Sequence, residues 1–340
     1  MNAQELMQFG IDQYHAGELA SSAQYLEEAI ITARKEMNID TELLARSNIC
    51  EAYIRMGSSS KAIEVATALL ARAKQVGSDE YEVRGIGRLA MAVQLFDLRG
   101  RWGELKPLLT DGVEKANKLG LTYWEIQNLE TLGSCAVKMG LLDEGFQWLQ
   151  RALTAIHPGV FEEDYFRSRI YQSLSSLMRL RGNAEEAVRY AEVALGIATS
   201  NKNNTPNLVA SAKLSLAESL YLGGERAEAL EYVHDALYSS RREKWIVQEQ
   251  FAEYIHSRLE FDLGHLDVAE QAARQALVLA GEIKMKEEEV ICLMELGKIL
   301  LNKGGKSEAI EILNKARIFS VERGYDNHKY NAERLLELLG

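Results

Sequence analysis

The chain has 340 residues, 47% of them hydrophobic and 26% charged, with three cysteines, three prolines and a formal net charge of −11. That supply of apolar residues suits a long continuous core, and the acidic excess works against direct binding of nucleic acid. Residues 1–6 have neither a basic start nor an apolar run, and no apolar stretch approaches the roughly 20 residues that span a bilayer, so a cytoplasmic protein without membrane insertion is expected.

Along the chain, Gly17, Gly57, Gly100, Gly140, Gly182, Gly224, Gly264 and Gly304 recur in steps of 40 to 43 residues. Such an interval marks a solenoid, in which each unit buries its apolar face against the next. Five residues after these glycines lie Ser22, Ala62, Leu105, Gly145, Ala187, Ala229, Ala269 and Ala309. Twelve residues after them lie Ala29, Leu69, Gly112, Ala152, Ala194, Ala236, Ala276 and Ala316. Positions seven apart share one helix face, so small residues there let a neighbouring helix come close. Each glycine is flanked by amphipathic segments, as in Leu43, Leu44, Ile49, Tyr53 and Ile54 before Gly57 and Ala62, Ile63, Val65, Leu69 and Leu70 after it. No segment alternates apolar and polar over a strand length. The predicted fold is all-α: eight helix–turn–helix repeats over residues 1–324 forming one domain, then a capping helix over 325–340.

In chain order, the first repeat has no cap before it, so Met7, Phe9 and Tyr14 are expected to leave an apolar edge suited to a homodimer or a docked partner. Repeat three departs from the pattern. Its Gly85-Ile86-Gly87-Arg88-Leu89-Ala90 imitates a dinucleotide-binding loop but sits at the head of a helix, without the strand that motif needs. Trp102, Gly103, Pro107 and Gly112 predict a kink or altered pitch over residues 100–112. Residues 157–164 and 200–207 read as flexible rims. The acidic runs 162–164 and 287–289 belong at the starts of first helices, and the basic run 240–245 at the end of a second helix, where each complements the helix dipole. Gly304-Gly305-Lys306-Ser307 resembles the end of a phosphate loop, but Leu300 occupies the position of that motif's first glycine. Residues 327–339, with Tyr330, Leu335, Leu336 and Leu339, form the cap.

Cys50, Cys135 and Cys292 fall in three separate repeats and read as reduced, buried thiols. His15, His157, His234, His256, His265 and His328 include no pair at metal-binding helical spacing and none beside a cysteine. No metal site, no cofactor and no catalytic residues are therefore expected, and the chain does not read as an enzyme.

The pattern of Leu296, Gly297, Leu300, Gly304, Ala309 and Ala316 in repeat eight, and of Leu132, Gly133, Gly140, Gly145 and Ala152 in repeat four, resembles the tetratricopeptide repeat family. The units are longer than the 34 residues of that motif's short form, which is similar to the long repeats of kinesin light chains and of the sensor regions of bacterial regulators. The resemblance implies a right-handed superhelix whose first helices line a concave groove. Projected groove positions give Gln127, Glu130, Ser134, Val137 and Lys138 in repeat four and Arg169, Gln172, Ser176, Arg179 and Leu180 in repeat five. They give Ser211, Leu214, Glu218, Tyr221 and Leu222 in repeat six, and Phe251, Tyr254, Arg258, Phe261 and Asp262 in repeat seven. Gln127, Glu130, Arg169, Gln172, Arg179, Glu218, Tyr221, Tyr254, Arg258 and Asp262 form the candidate partner-binding set, because arginine forks grip carboxylates and carbonyls while tyrosines supply rigid contact area. The alternative is that these residues solvate an inner face and pair with one another across repeats. The function implied is a non-catalytic scaffold or adaptor that binds a protein or peptide partner in the groove, with a sensor of a small ligand or signalling peptide as the second reading. The sites six residues before each glycine hold no asparagine, which argues against a clamp for chaperone tails.

Overall fold

A glycine that leaves a helix in the left-handed region can close a tight antiparallel helix pair, and seven of the eight predicted turn glycines do so. Gly17, Gly57, Gly140, Gly182, Gly224, Gly264 and Gly304 have φ between 68° and 89°. At Gly57 the turn amide donates to Ile54 O at 3.1 Å and the next amide, of Ser58, to Tyr53 O at 2.8 Å. This is the Schellman arrangement, which satisfies the last carbonyls of the first helix.

The computed structural model describes residues 1–200 and 206–338. Among these it forms helical pairs α1 (Ala3–His15) and α2 (Leu19–Lys35), α3 (Ile39–Arg55) and α4 (Ser59–Val76), and α5 (Asp79–Phe96) and α6 (Leu98–Lys118), and then the helices α7 (Thr122–Lys138) and α8 (Leu142–Ala155). There follow α9 (Glu163–Leu180) and α10 (Ala184–Ser200), α11 (Pro206–Gly223) and α12 (Arg226–Glu243), α13 (Ile246–Asp262) and α14 (Leu266–Glu282), α15 (Lys286–Asn302) and α16 (Lys306–Glu322), and finally α17 (Asp326–Glu337). No strand occurs among the described residues. The chain divides into two compact units, one of Met1–Cys135 with Gln150–Phe161, the other of Ala136–Leu149 with Glu162–Gly340.

Repeat three corrects the sequence reading. Gly100 lies inside α6, and the turn falls at Asp97, which leaves α5 at φ −156°. Asp97 is 40 residues after Gly57, so the first helix keeps the regular register while the second keeps the register of Gly100. The three residues between are absorbed at the start of α6, which at 21 residues is the longest of the helices. It continues as one helix through Pro107.

The close approach of paired helices has a second periodic signature, seven residues before each turn: Gly10, Cys50, Ala90, Gly133, Ser175, Ala217, Ser257 and Gly297. A Cβ on Gly297 would meet Leu313 Cγ of α16 at 2.6 Å, closer than carbon atoms pack. At two of these positions a polar atom bonds across the pair: Cys50 Sγ donates to Ala62 O at 3.4 Å and Ser175 Oγ to Ala187 O at 2.9 Å. The facing alanines, Ala62, Ala187, Ala229, Ala269 and Ala309, are fully buried.

The turns between repeats also leave helices in the left-handed region, at Met37, Gly77, Gly120, Lys244, Lys284 and Gly324. Each lies 20 residues after one of the periodic glycines. Within a unit, consecutive first helices touch (α1 with α3, α3 with α5; α9 with α11, α11 with α13, α13 with α15), so they form one layer. At the C-terminal end α17 places Ala332 against Leu293 and Ala316, as expected of a cap. The three cysteines are buried and form no disulfide, and burial pushes the Cys50 thiol up to about 12. At the N-terminal end Met7 is buried, the Tyr14 hydroxyl donates to Glu51 at 2.7 Å, and Phe9, 44% exposed, packs on Tyr25.

Candidate functional site

In the second unit the layer of first helices α9, α11 and α13 presents a band of charged and aromatic side chains. Positions three or four apart share a helix face, which puts Arg179 on α9, Glu218 and Tyr221 on α11, and Tyr254, Arg258 and Asp262 on α13 in neighbouring rows. Arg179 Nη2 donates to Glu218 Oε2 at 2.6 Å and Nη1 to Ser215 O at 3.4 Å, tying α9 to α11. The Arg258 guanidinium lies 4.4 Å from the Tyr221 ring centroid and 5.5 Å from that of Tyr254, tying α11 to α13 through cation–π contacts. Asp262 pairs with Arg226 of α12 at 3.3 Å. Lys298 of α15 stacks 4.1 Å over the Phe261 ring and lies 3.5 Å from Glu295.

The electrostatics follow from partial burial. Desolvation pushes the phenols of Tyr254 and Tyr221 up, with Arg258 opposing in both cases. Desolvation works against the Arg258 charge, but Tyr254, Glu218 and Tyr221 outweigh it and hold the cation firmly protonated. The band is therefore a fixed positive centre, Arg258, flanked by half-buried aromatic faces, beside an ion pair.

The structure brings Arg179 together with Glu218, and Arg258 with Tyr221 and Tyr254, across repeats. Asp262 turns instead to Arg226 of α12, while within α9 Arg169 Nη1 donates to Tyr165 OH at 3.1 Å and Gln172 Nε2 to Ser168 Oγ at 3.3 Å. Gln127 and Glu130, in the first unit, are each only 1% exposed, and Gln127 Nε2 donates to Thr131 Oγ1 at 3.1 Å.

The first unit carries a comparable band that sequence reasoning did not single out. Glu51 of α3 accepts from Tyr14 OH of α1 and from Arg88 of α5, each at 2.7 Å, while Arg55 covers the Tyr14 ring at 4.8 Å and Arg88 lies 5.2 Å from the Trp124 ring. Burial raises the Glu51 carboxyl, but Arg88 and the Tyr14 hydrogen bond outweigh it and hold the group below the usual carboxylate range. Glu51 stands six residues before its turn glycine, as Glu218 does, so the signal was present in the periodicity.

A further group lies outside the band. His234 of α12 and His256 and Glu260 of α13 place one potential metal-ligand atom each within 4.8 Å of one another. The sequence reading passed over it because its histidines are 22 residues apart and on different helices.

No family model and no curated protein sequence matches the chain. Solved structures do. A Rap protein complexed with Competence and Sporulation Factor superposes with a TM-score of 0.61 at 16% identity, covering 88% of this chain and 87% of that one. The apo form of RapI gives 0.60 at 15% identity, over 83% and 98%. A signal transduction ATPase with numerous domains from Pyrococcus horikoshii, which carries a tetratricopeptide repeat sensor, gives 0.57 at 17% identity, over 84% of this chain and 42% of its own length. The chain thus has the α-solenoid fold of tetratricopeptide-type repeat proteins. Among the described residues no helix is long and apolar enough to cross a membrane.

Proposed function

We propose that this chain is a non-catalytic scaffold, acting in the cytoplasm, that holds a peptide or a segment of a partner protein along the first helices α9, α11 and α13. The observation that carries the reading is Arg258, held between Tyr221 and Tyr254 beside the Arg179–Glu218 pair. Three helices from three repeats converge there on groups that recognise a main chain: a cation for carbonyls or a carboxylate, and rigid aromatic faces for side chains. Buried cysteines without a disulfide fit a reducing compartment.

The same pairing favours a second reading, a sensor of a small ligand or signalling peptide. Because Arg179, Glu218 and Arg258 already tie neighbouring repeats together, an occupant that engages them changes the contacts between α9, α11 and α13. Ligand binding is thereby linked to repeat packing. The Rap structure complexed with Competence and Sporulation Factor has this fold over most of both chains, which supports the reading without identifying a ligand.

The test is affinity purification of the tagged chain from its native cytoplasm beside the Arg179→Ala, Arg258→Ala double variant, with Arg189→Ala on α10 as a control. Under the scaffold reading a partner co-purifies with the parent and the control and is lost from the double variant. A partner retained by the double variant at parental levels would place binding elsewhere and defeat the assignment. If the parent recovers no partner and a small ligand instead raises its Tm, the sensor reading replaces it.

A further inference from the structure

We infer that His234, His256 and Glu260 form a binding site for one divalent transition-metal ion of the zinc class, joining α12 to α13.

His256 Nε2 lies 3.4 Å from His234 Nε2 and 3.3 Å from Glu260 Oε1. A tetrahedral cation with nitrogen and oxygen ligands at about 2.0–2.1 Å holds its donor atoms about 3.3–3.4 Å apart. Two edges of the ligand triangle therefore already have the length a bound ion would set. The third closes within 4.8 Å, and the exposed His234 side chain supplies the adjustment by rotation. Two imidazoles and one carboxylate are a donor set that suits zinc.

Charge gives a second, independent reason. Glu260 is only 6% exposed, yet its ion-pair partners among the described residues are the histidines His256 and His265, with neither lysine nor arginine. A divalent ion between it and the imidazoles would give this buried carboxylate a permanent positive partner.

The surroundings match what orients metal ligands. His265 Nδ1 lies 2.7 Å from Glu260 Oε2, the oxygen turned away from the triangle, and so fixes the carboxylate. Glu253 Oε2 lies 3.9 Å from His256 Nδ1, on the far side of that ring, and Glu253 is itself held by Arg241. That gap is longer than a hydrogen bond, so Glu253 acts on the ring through its charge alone. His234 is exposed, so the fourth position faces solvent and takes water.

The experiment uses the full chain, stripped with a chelator and titrated with Zn²⁺ in competition with a chromophoric chelator, and separately with Co²⁺ followed by visible absorption. The expected result is one equivalent bound per chain, with a tetrahedral-type Co²⁺ spectrum. His234→Ala alters an exposed residue and leaves the fold intact by circular dichroism, yet lowers affinity more than about 10-fold. His265→Ala, which removes an orienting contact, lowers it about 10- to 100-fold. His157→Ala, in the other unit, changes nothing. The inference is overturned if the parent takes up no Zn²⁺ at micromolar concentration, or if His234→Ala and His256→Gln bind it as the parent does. Either result would make the cluster an ordinary histidine–carboxylate ion pair.

Discussion

Replacing Glu42 by glutamine should destabilise the first unit by about 2–3 kcal/mol, because this single buried carboxylate holds three helices through three arginines. Its side chain is 1% exposed. It accepts from Arg34 Nε of α2 at 2.8 Å, from Arg46 Nε and Nη2 of α3 at 3.1 and 3.0 Å, and from Arg72 Nε of α4 at 3.2 Å. Breaking a buried pair by removing one partner typically costs about 3–5 kcal/mol. That range is too high here. Arg34 is 58% exposed and Arg72 29%, so both can turn to water, and exposed pairs contribute no more than about 1 kcal/mol each. Arg46, at 8% exposure, is the cation left stranded, which gives the lower figure. For a unit of this size the loss corresponds to a fall in Tm of about 5–10 °C, read by circular dichroism and localised by hydrogen exchange at the α2–α4 amides. Burial raises the Glu42 carboxyl, but the hydrogen bonds from Arg34, Arg46 and Arg72 more than offset it, and the group sits below its ordinary 4.5. An acid depressed in the folded state stabilises above its unfolded pKa and loses that contribution as pH falls through the folded value. The difference between parent and variant should therefore be constant from pH 7 to about 5 and shrink below about 4.5. Arg46 is itself pushed down, first by burial and then by Arg34 and Arg72, but an arginine stays charged across this range and does not alter the sign. A Glu42→Gln variant within about 0.5 kcal/mol of the parent at pH 7 would show that the cluster is solvated and refute the reasoning.

Two further stability effects follow from the backbone. Lys284 is exposed at φ 57°, a conformation that costs a side-chain-bearing residue about 1–2 kcal/mol, so Lys284→Gly should raise the urea midpoint by the equivalent of about 0.5–1 kcal/mol after the added flexibility of the unfolded chain is subtracted; a lower midpoint would contradict this. Gly297→Ala drives a methyl into Leu313 and should cost about 1–3 kcal/mol, with α15 and α16 amides exchanging faster while those of α1 and α2 do not.

The helical pairs were legible because three kinds of residue repeat at fixed offsets: the turn glycine, and the small residues five and twelve positions later. Gly100 misled because a three-residue insertion moved the glycine without moving the turn. Ala90, small and fully buried seven residues before Asp97, marks the true register. The junctions at Met37, Lys244 and Lys284 were hidden because side-chain-bearing residues stand where Gly77, Gly120 and Gly324 announce the same backbone. Projection of groove positions found Arg179, Glu218, Tyr221, Tyr254 and Arg258 as neighbours, since one face of a repeat array is a matter of arithmetic. It could not show that these side chains would choose one another, because pairing depends on distances between helices. The histidine–glutamate cluster was missed for the same reason, its members coming from two helices that only packing brings together.

The Arg179–Glu218 contact sets terms for anything that enters the band. The 2.6 Å bond means that a visitor must supply a replacement for a bond already made, so the energy gained on entry is the difference between two ion pairs and not the worth of one. An uncharged apolar segment would leave the latch shut. A segment bearing a carboxylate for Arg179 and a cation for Glu218 would exchange both partners at once, and added salt would weaken the old pair along with the new. Selectivity at such a place is a threshold on the visitor's charge pattern, and the side chains it meets have already given up much of their rotamer freedom before it arrives.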